Sequence, residues 1–384
     1  MKTIRSIKKT TACFLAVLLL LSALSCAVQA ADLPGALCVT DYVAADTGED
    51  VADALQALID AHPNRTICFP DGEYLVSHPL RTPADPTKSV DLQLANFAVV
   101  RATEDFTGGA VIALGGKDPY NTTAVAGSNY GLYGGVIDGS GIADGVSIDS
   151  GRETKVQNTS IKNTVVGLHI KYGANSGSSD ADIRDINIIG NSAADSVGIL
   201  LEGYDNTLTN IRIGYVRTGV IVRSGGNSLT NIHPLYQIDW ELYEGSCGFV
   251  EEAGNNLYTY CYSDQFQTGF RSVNGGRSVY DNCFCFWWSG AGGNCTGFRE
   301  EGDSFNATVT NMRIDFRSDT VNTVYSGPTR GSGVFRRLLV NEERIDANRS
   351  YRYFTEDSPI FRLRELFRRI AAFFSIFSAL GKKA

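Results

Sequence analysis

The sequence predicts an all-β fold, a single parallel β-solenoid, for most of this 384-residue chain. A glycine followed by an apolar residue and a short strand recurs seven times, at Gly145, Gly167, Gly198, Gly219, Gly248, Gly269 and Gly297. Asparagine-rich segments such as 206–211 and 227–232 alternate with these units, and no long helical periodicity interrupts residues 132–340. One such unit cannot bury its own apolar face, so the units are expected to stack as coils.

Two side-chain ladders follow from aligning the glycines. The residue after each glycine is expected inside: Val146, Leu168, Ile199, Val220, Phe249, Phe270 and Phe298. The residue four positions after each glycine is expected outside: Asp149, Lys171, Glu202, Arg223, Glu252, Val273 and Glu301. Strands stack about 4.8 Å apart, so the mostly alternating charges of the outer ladder would attract one another.

The first 30 residues are typical of a secretory signal peptide. Lys8 and Lys9 precede an apolar run over 12–24, and small residues at 28–30 suit cleavage before Ala31. The mature protein is therefore expected to be secreted, either extracellular or in the cell envelope. Its β-helix domain is expected to span 31–355.

The last segment, 356–384, is predicted to form a cationic amphipathic helix. Apolar residues recur at helical spacing within 360–384, together with six basic residues and one acid. Such a helix can dock on the domain or lie on an anionic membrane surface, and it is too short and too charged to span a bilayer. A peripheral membrane contact through 360–384 is the preferred interpretation.

The charge distribution argues against a nucleic-acid partner. The formal charge of −8 combines two basic ends with a body of about −17. Phosphate backbones attract lysine and arginine, and a body this acidic lacks that attraction.

Seven cysteines follow Ala30, an odd number, and no pair has zinc-finger spacing. Aligning the asparagine-rich units places Arg212, His233, Cys261 and Cys283 in one ladder. Cys261 and Cys283 would then lie on adjacent coils, within the Cα range of a disulfide. We expect them either to bond or to stack as thiols.

The segment before the repeats resembles the opening of the pectate-lyase superfamily. Residues 50–60 read as an amphipathic helix, 67–76 as strand, turn and strand around Pro70-Asp71-Gly72, and 135–139 are similar to a first full coil. The resemblance covers 36–340. It implies a single right-handed parallel β-helix with an N-terminal capping helix, and an extracellular polysaccharide or oligosaccharide as ligand. The aspartate set of polygalacturonases and the calcium and arginine signature of pectate lyases are absent.

Two long loops mark the expected site. Residues 233–244 and 286–293 leave one side of the solenoid and, with a short loop at 263–265, carry all three tryptophans and several acids. Indole faces cover the apolar side of a pyranose, while charged side chains bind its polar groups. The expected substrate-binding residues are Trp240, Glu244, Arg271, Trp287, Trp288 and Arg299.

Two chemistries stay open at these loops. Hydrolysis of a glycosidic bond needs two carboxyl groups, for which Asp239, Glu241 and Asp264 are the candidates. Elimination by a polysaccharide lyase needs a base, for which His233 is the candidate, and a cation to neutralise a uronate carboxylate. No metal-ligand pattern is recognised and no cofactor is expected, although paired acids could hold Ca²⁺.

The alternative to an enzyme is a non-catalytic glycan-binding or adhesive surface β-helix. An adhesin needs only the aromatic side chains of these loops. An enzyme needs two acids, or a base and a cation, that converge beside them.

Overall fold

Short β-branched segments stack as coils of a right-handed parallel β-helix, which confirms the predicted all-β class. The computed structural model describes residues 35–345 except 86, 118–129, 173–177, 291–292, 318–321 and 329. The predicted signal peptide, 1–30, and C-terminal helix, 356–384, lie outside the described residues, so their roles stay predictions.

One α-helix, α1 (Ala52–Ala61), precedes the coils, and it confirms the helix predicted within 50–60. Its buried face includes Leu55 and Leu58. Asp50 fixes its start, because one carboxylate oxygen accepts from the Ala52 amide at 3.0 Å while the other accepts from the Ser77 hydroxyl at 2.6 Å. Within the described residues, no helix combines the length and hydropathy that crossing a membrane requires.

Within the described residues, the remaining elements are strands and two 3₁₀ turns, Val39–Asp41 and Trp240–Leu242. The first strands are β1 (Leu37–Cys38), β2 (Arg65–Phe69), β3 (Gly72–Val76), β4 (Leu80–Pro83), β5 (Val90–Leu94), β6 (Ala98–Ala102), β7 (Ala110–Lys117), β8 (Gly131–Tyr133) and β9 (Val136–Asp138). The middle strands are β10 (Asp144–Ile148), β11 (Lys155–Gln157), β12 (Ser160–Thr164), β13 (Val166–Ile170), β14 (Asp182–Gly190), β15 (Val197–Leu201), β16 (Thr207–Gly214), β17 (Thr218–Val222), β18 (Ser228–Leu235) and β19 (Cys247–Glu251). The last strands are β20 (Leu257–Thr259), β21 (Tyr262–Asp264), β22 (Thr268–Ser272), β23 (Val279–Asp281), β24 (Phe284–Trp287), β25 (Cys295–Glu300), β26 (Thr308–Thr310), β27 (Arg313–Phe316), β28 (Asn322–Ser326), β29 (Val334–Arg336), β30 (Leu338–Val340) and β31 (Glu343–Ile345).

These strands form three parallel stacks. The first stack runs from β2 through β5, β8 and β11 to β20, β23, β26 and β29. The second runs from β3 through β6, β9 and β12 to β21, β24, β27 and β30, and the long strands β14, β16 and β18 belong to both. The third stack holds the ten strands β4, β7, β10, β13, β15, β17, β19, β22, β25 and β28. Each coil therefore contributes one strand, or one half of a long strand, to each stack.

The interior ladder of the third stack is the predicted one. Register pairs join Val146 to Leu168 and continue without a slip to Phe270 and Phe298. The repeated glycine is needed because coils approach closely at its position. A Cβ on Gly198 would lie 2.5 Å from the Gly219 carbonyl oxygen, so a side chain there would force the coils apart.

Left-handed residues turn the chain from the first stack into the second. The corner residues have φ between 53° and 57°, and they are Asn158, Asp185, Asn210, Asn231, Tyr260, Asn282, Asn311 and Arg337. Asparagine tolerates this conformation better than most residues. Corner side chains also bond from coil to coil, as Asn231 does to Asn210 at 3.0 Å. The asparagines at the ends of the repeated segments are thus turn residues.

A second, buried asparagine ladder begins the same segments. Asn206, Asn227 and Asn256 are buried, and the Oδ1 of each later residue accepts from the backbone and side-chain amides of the one before. Asn256 also donates to the buried carboxylate of Glu251 at 2.9 Å. The ladder supplies partners to backbone amides at a corner where strand pairing stops.

The predicted outer charge ladder is present on the third stack. Lys171 pairs with Asp149 at 2.8 Å, and Arg223 bridges Glu202 at 3.1 Å and Glu252 at 3.0 Å. Alternating charges on adjacent coils therefore attract one another on this face.

Cys261 and Cys283 are both buried and unbonded, so of the two expectations the stacked thiols are found. The ladder assigned to them is wrong by one residue. Leu229 pairs with Tyr258, which puts Cys261 level with Ile232 in the interior and leaves Tyr262 level with His233. All seven cysteines after Ala30 are free thiols.

We expect Asn227→Ala to lower the free energy of unfolding by about 1–3 kcal/mol, because it leaves buried amides without an acceptor. Urea denaturation measures the change. Asn96→Ala, at an exposed turn, is the control and should have no effect. Equal losses for the two variants would contradict a structural role of the buried ladder.

The charge ladder predicts a pH-dependent contribution from Glu202. Desolvation pushes the pKa of Glu202 upward, but hydrogen bonds from His169 and Arg223 outweigh it, and the net pKa lies below its ordinary value. A carboxyl with a lowered folded-state pKa stabilises above its unfolded pKa, and this contribution is lost as the pH falls. Glu202→Gln should therefore lower the melting temperature at pH 7 and have a much smaller effect near pH 3. A difference that is the same at both pH values would contradict the assignment.

Candidate functional site

The candidate site lies on the outer face of the second stack, where β16, β18, β21, β24 and β27 follow one another. Strand alternation points Ile232 and Pro234 inward and His233 outward. Register pairs His233 with Arg212 on one side. On the other side, Tyr262 continues into Phe284 and Arg313. Five coils thus present basic and aromatic side chains in one line.

His233 is held on three sides. Its Nδ1 accepts a hydrogen bond from Nη1 of Arg212, and its Nε2 lies 3.4 Å from Oδ2 of Asp264. Its ring stacks on Tyr262 with a centroid distance of 4.1 Å and an angle of 16°. Since a guanidinium can only donate, Nδ1 must be the acceptor, so the proton of the neutral imidazole sits on Nε2, facing the carboxylate.

Asp264 is the acidic member of the group that includes His233, Tyr262 and Gln265. Its Oδ1 accepts from Nε2 of Gln265 at 3.0 Å, and its carboxylate acts on the nearby Tyr262 hydroxyl. Desolvation, and then the negative charge of Asp264, raise the pKa of Tyr262 well above its ordinary value. Tyr262 is therefore a protonated phenol at neutral pH, placed between a carboxylate and an imidazole.

A second ion pair lies on the same face. Arg313 binds Oδ2 of Asp315, and its guanidinium lies 5.0 Å above the Phe284 ring. Asp315 is almost fully buried, in the same ladder as Asp264 with Phe286 between them. The C-terminal end of the face is therefore cationic and aromatic at its surface.

Three loops border this face, and they lie together as predicted. The loops after β18, β21 and β24 all connect the second stack to the third on successive coils. Gln265 joins two of them, since it donates to Asp264 and its Oε1 accepts from the Trp288 amide at 3.3 Å. Trp288 is 49% exposed and Trp240 is 43% exposed, so both offer indole faces to a ligand.

The acids of the first loop have local contacts. The carboxylate of Asp239 accepts from the Glu241 amide at 3.0 Å and caps the short 3₁₀ turn that contains Trp240. Glu244 contributes its backbone carbonyl oxygen, which accepts from Arg217 at 2.7 Å. The contacts of Asp239, Glu241 and Glu244 do not place them beside Asp264, so their assigned roles stay predictions.

Three residues assigned to substrate binding lie elsewhere. Trp287 is fully buried, donates from Nε1 to the Phe266 carbonyl oxygen at 2.6 Å and stacks on Phe316. β24 extends through Trp287, so strand alternation turns it into the core. Arg271 and Arg299 both pair with Glu301 on the third stack, outside the face that carries His233. These two arginines stabilise the charge ladder.

Sequence reasoning missed Tyr262 and assigned no role to Arg212. The signal was the distance from the corner residue. His233 lies two positions after the corner Asn231, and Tyr262 lies two positions after the corner Tyr260. The alignment failed because the corner residue changes from asparagine to tyrosine on this coil.

No cluster of three or more histidine, cysteine, aspartate or glutamate side chains suited to a metal ion occurs among residues 35–345 as far as they are described. Calcium binding by paired acids stays a prediction.

No protein-family model and no curated protein matches this chain. The solved structures that are similar in fold include the following three. ORF18 of Geobacillus virus E2 is 15% identical with a TM-score of 0.61, covering 82% of this chain and 65% of that one. An alginate lyase from Paenibacillus sp. str. FPU-7 is 16% identical with a TM-score of 0.53, covering 73% and 96%.

The third is a tailspike protein of E. coli bacteriophage HK620, solved with a pentasaccharide. It is 12% identical with a TM-score of 0.56, covering 80% of this chain and 66% of that one. The chain thus spans just under two thirds of the length of the two viral proteins. At these identities the likeness establishes the fold alone.

Trp287 and Trp288 are adjacent in the sequence, but only Trp288 is exposed to a ligand, and their stabilities to substitution should differ accordingly. Trp287→Ala should lower the free energy of unfolding by about 3–5 kcal/mol, because it empties a filled core position. Trp288→Ala should leave stability within about 0.5 kcal/mol, because the side chain is half exposed. Chemical denaturation of both variants measures this, and a large loss for Trp288→Ala would mean that it packs inside.

Proposed function

We propose that this chain is an exported enzyme that cleaves a uronic-acid-containing polysaccharide by β-elimination. The single observation that carries the proposal is the chain of contacts from Arg212 through His233 to Asp264. In it, a guanidinium donates to one imidazole nitrogen and a carboxylate faces the other. Tyr262 completes the group as a proton donor. Together these side chains match the base, the cation and the acid that elimination requires.

Arg212 is the residue that would recognise the substrate. Guanidinium groups bind carboxylates bidentately, and Arg212 is exposed on the face of the second stack. Neutralising a uronate carboxylate acidifies the adjacent C5–H, because negative charge develops on that carboxylate as the proton leaves. When Arg212 turns to the substrate, Nδ1 of His233 loses its donor and becomes a free base.

Proton transfer and bond cleavage follow once the substrate carboxylate is bound to Arg212. Nδ1 of His233 takes the C5 proton, the C–H electron pair forms the C4–C5 double bond, and the C4–O bond breaks. The leaving oxygen takes the proton of Tyr262, whose phenol is protonated at neutral pH. Asp264 accepts from Nε2–H throughout and stabilises the imidazolium that forms, as carboxylates do for catalytic histidines.

The exposed indoles of Trp240 and Trp288 suit sugar rings on either side of the reacting bond. Two solved structures with this fold, an alginate lyase and a tailspike bound to a pentasaccharide, support a polysaccharide partner. The resemblance of residues 36–340 to the pectate-lyase superfamily supports the same ligand class. The signal-like sequence of 1–30 supports a secreted or envelope location.

Hydrolysis by paired acids is the second candidate. Asp264 and Asp315 lie two coils apart in one ladder, so their Cα atoms are roughly 9–10 Å apart and both carboxyl groups belong to the same face. The burial of Asp315 and its pairing with Arg313 disfavour a role in activating water. A non-catalytic adhesin would use Trp240 and Trp288 but would not need the cluster of Arg212, His233, Tyr262 and Asp264.

Tyr262→Phe should lower turnover of a uronate polymer at least about 100-fold while binding is retained, because the proton donor is removed. Asp264→Asn should have a similar effect. The matched control is Tyr172→Phe, at an exposed tyrosine on another corner, which should keep full activity. The assay follows the absorbance of unsaturated uronates released from alginate, polygalacturonate and other uronate polymers.

The same assay separates the alternatives. New reducing ends without unsaturated products would favour hydrolysis over elimination. Binding to a polymer without either product would favour the adhesin. Full activity of Tyr262→Phe would contradict the proposed site.

A further inference from the structure

A polar cavity lies on the outer face of the second stack, nearer the N-terminal coils than the candidate site. Its volume is about 280 Å³, and its walls are Arg101, Asp138, Ser140, Gly141, Asn163 and Asn191. The proposed chemistry does not use these residues. The volume is close to the lower end of known small-molecule sites, which suits one sugar ring.

Irregular backbone shapes this cavity. A register shift between Lys162 and Thr164 makes a bulge at Asn163, which has φ of 52°. Ser140, on the neighbouring coil, also has φ of 52°. Bulges re-aim side chains and interrupt the repeat, and left-handed non-glycine residues persist where the surroundings hold them.

The side chains of the cavity are fixed by one another. Asp138 is only 7% exposed, and its two oxygens accept from Nδ2 of Asn163 at 3.1 and 3.2 Å. Arg101 approaches the same carboxylate to 3.4 Å and pairs with Glu73 at 3.2 Å, so two acids face its charge. Asn191 donates to the Gly141 carbonyl oxygen at 3.0 Å. A polar ligand would therefore meet groups that are already ordered, which limits the entropy lost on binding.

The cavity and the candidate site are joined by an unbroken ladder of the second stack. The steps are Asp138 to Lys162, Lys162 to Ile189, Ile189 to Gly214, Gly214 to Leu235 and Leu235 to Asp264. At the usual spacing of stacked strands, these five steps span roughly 24 Å. A linear polysaccharide advances by nearly one coil per sugar unit, so about five units would bridge the two places.

We propose that this cavity is a distal sugar-binding subsite that holds the same polysaccharide about five units from the reacting bond. The inference rests on the proposed function. Arg101, whose charge is balanced by Asp138 and Glu73, has further N–H groups that can donate to a sugar oxygen, while the amides and hydroxyl of Asn163, Asn191 and Ser140 suit sugar hydroxyls. An enzyme with such a subsite attacks the interior of long chains and handles short oligosaccharides poorly.

The test compares substrates of two lengths. Arg101→Gln should lower kcat/KM for oligosaccharides of eight or more sugars about tenfold, and leave kcat/KM for trisaccharides unchanged, because only the long chains reach the cavity. Asn163→Gly, which keeps the left-handed conformation while removing the amide, should act in the same way. Arg184→Gln removes the same charge from an exposed arginine of the first stack and should change neither value.

Equal losses for long and short substrates, or no loss for either, would overturn the subsite.

Calorimetric binding of the octasaccharide or the polymer to the unmodified protein and to Arg101→Gln separates this result from the proposed chemistry. If Arg101→Gln weakens binding although neither protein releases unsaturated products, the subsite stands and elimination fails. If elimination proceeds without dependence on chain length, the chemistry stands and the subsite fails. A protein that neither binds nor cleaves any uronate polymer would contradict both.

Discussion

The parallel pairing of each coil with the next is the constraint on which the rest of this molecule depends. Main-chain hydrogen bonds fix the coil spacing, and the same register then aligns every side chain with its counterpart one coil away. Interior aromatics stack through this alignment, as Phe249 and Phe270 do at 4.7 Å. The contacts of Arg212 with His233 and of His233 with Tyr262 use the same spacing on the outer face. Core packing and candidate chemistry therefore have one geometric origin.

The fold could be predicted because its requirements recur in the sequence. A glycine is needed where coils approach closely, so Gly198 and its equivalents marked the third stack, and the residues after them marked the core. The outer charges were predictable for the same reason. On the first and second stacks the marker was weaker, because the corner position accepts asparagine, aspartate, tyrosine and arginine. There an error of one residue reversed inside and outside, which is how Cys261 was aligned with His233.

The candidate site was partly predictable. His233, Asp264 and the neighbouring loops were identified because unusual residues and long insertions stand out from a repeat. Trp287 could not be separated from Trp288, since composition does not show where β24 ends and its alternation stops. The bulge at Asn163 was equally invisible, because it depends on the register of a neighbouring strand. Arg271 was misplaced for another reason, as a charged residue outside a solenoid can serve either a ligand or the next coil.

The repeated coil also gives this protein a unit of length. Leu208 and Leu229 occupy the same interior position on consecutive coils, so the residues from one to the other form a closed step along the axis. Duplication of one such step would add one coil, about 4.8 Å, between the cavity and the candidate site, and the second copy of Arg212 would still pair with His233. The number of coils therefore sets the distance along the solenoid axis between the cavity and the candidate site. A change in that number alters the length of ligand that can contact both places.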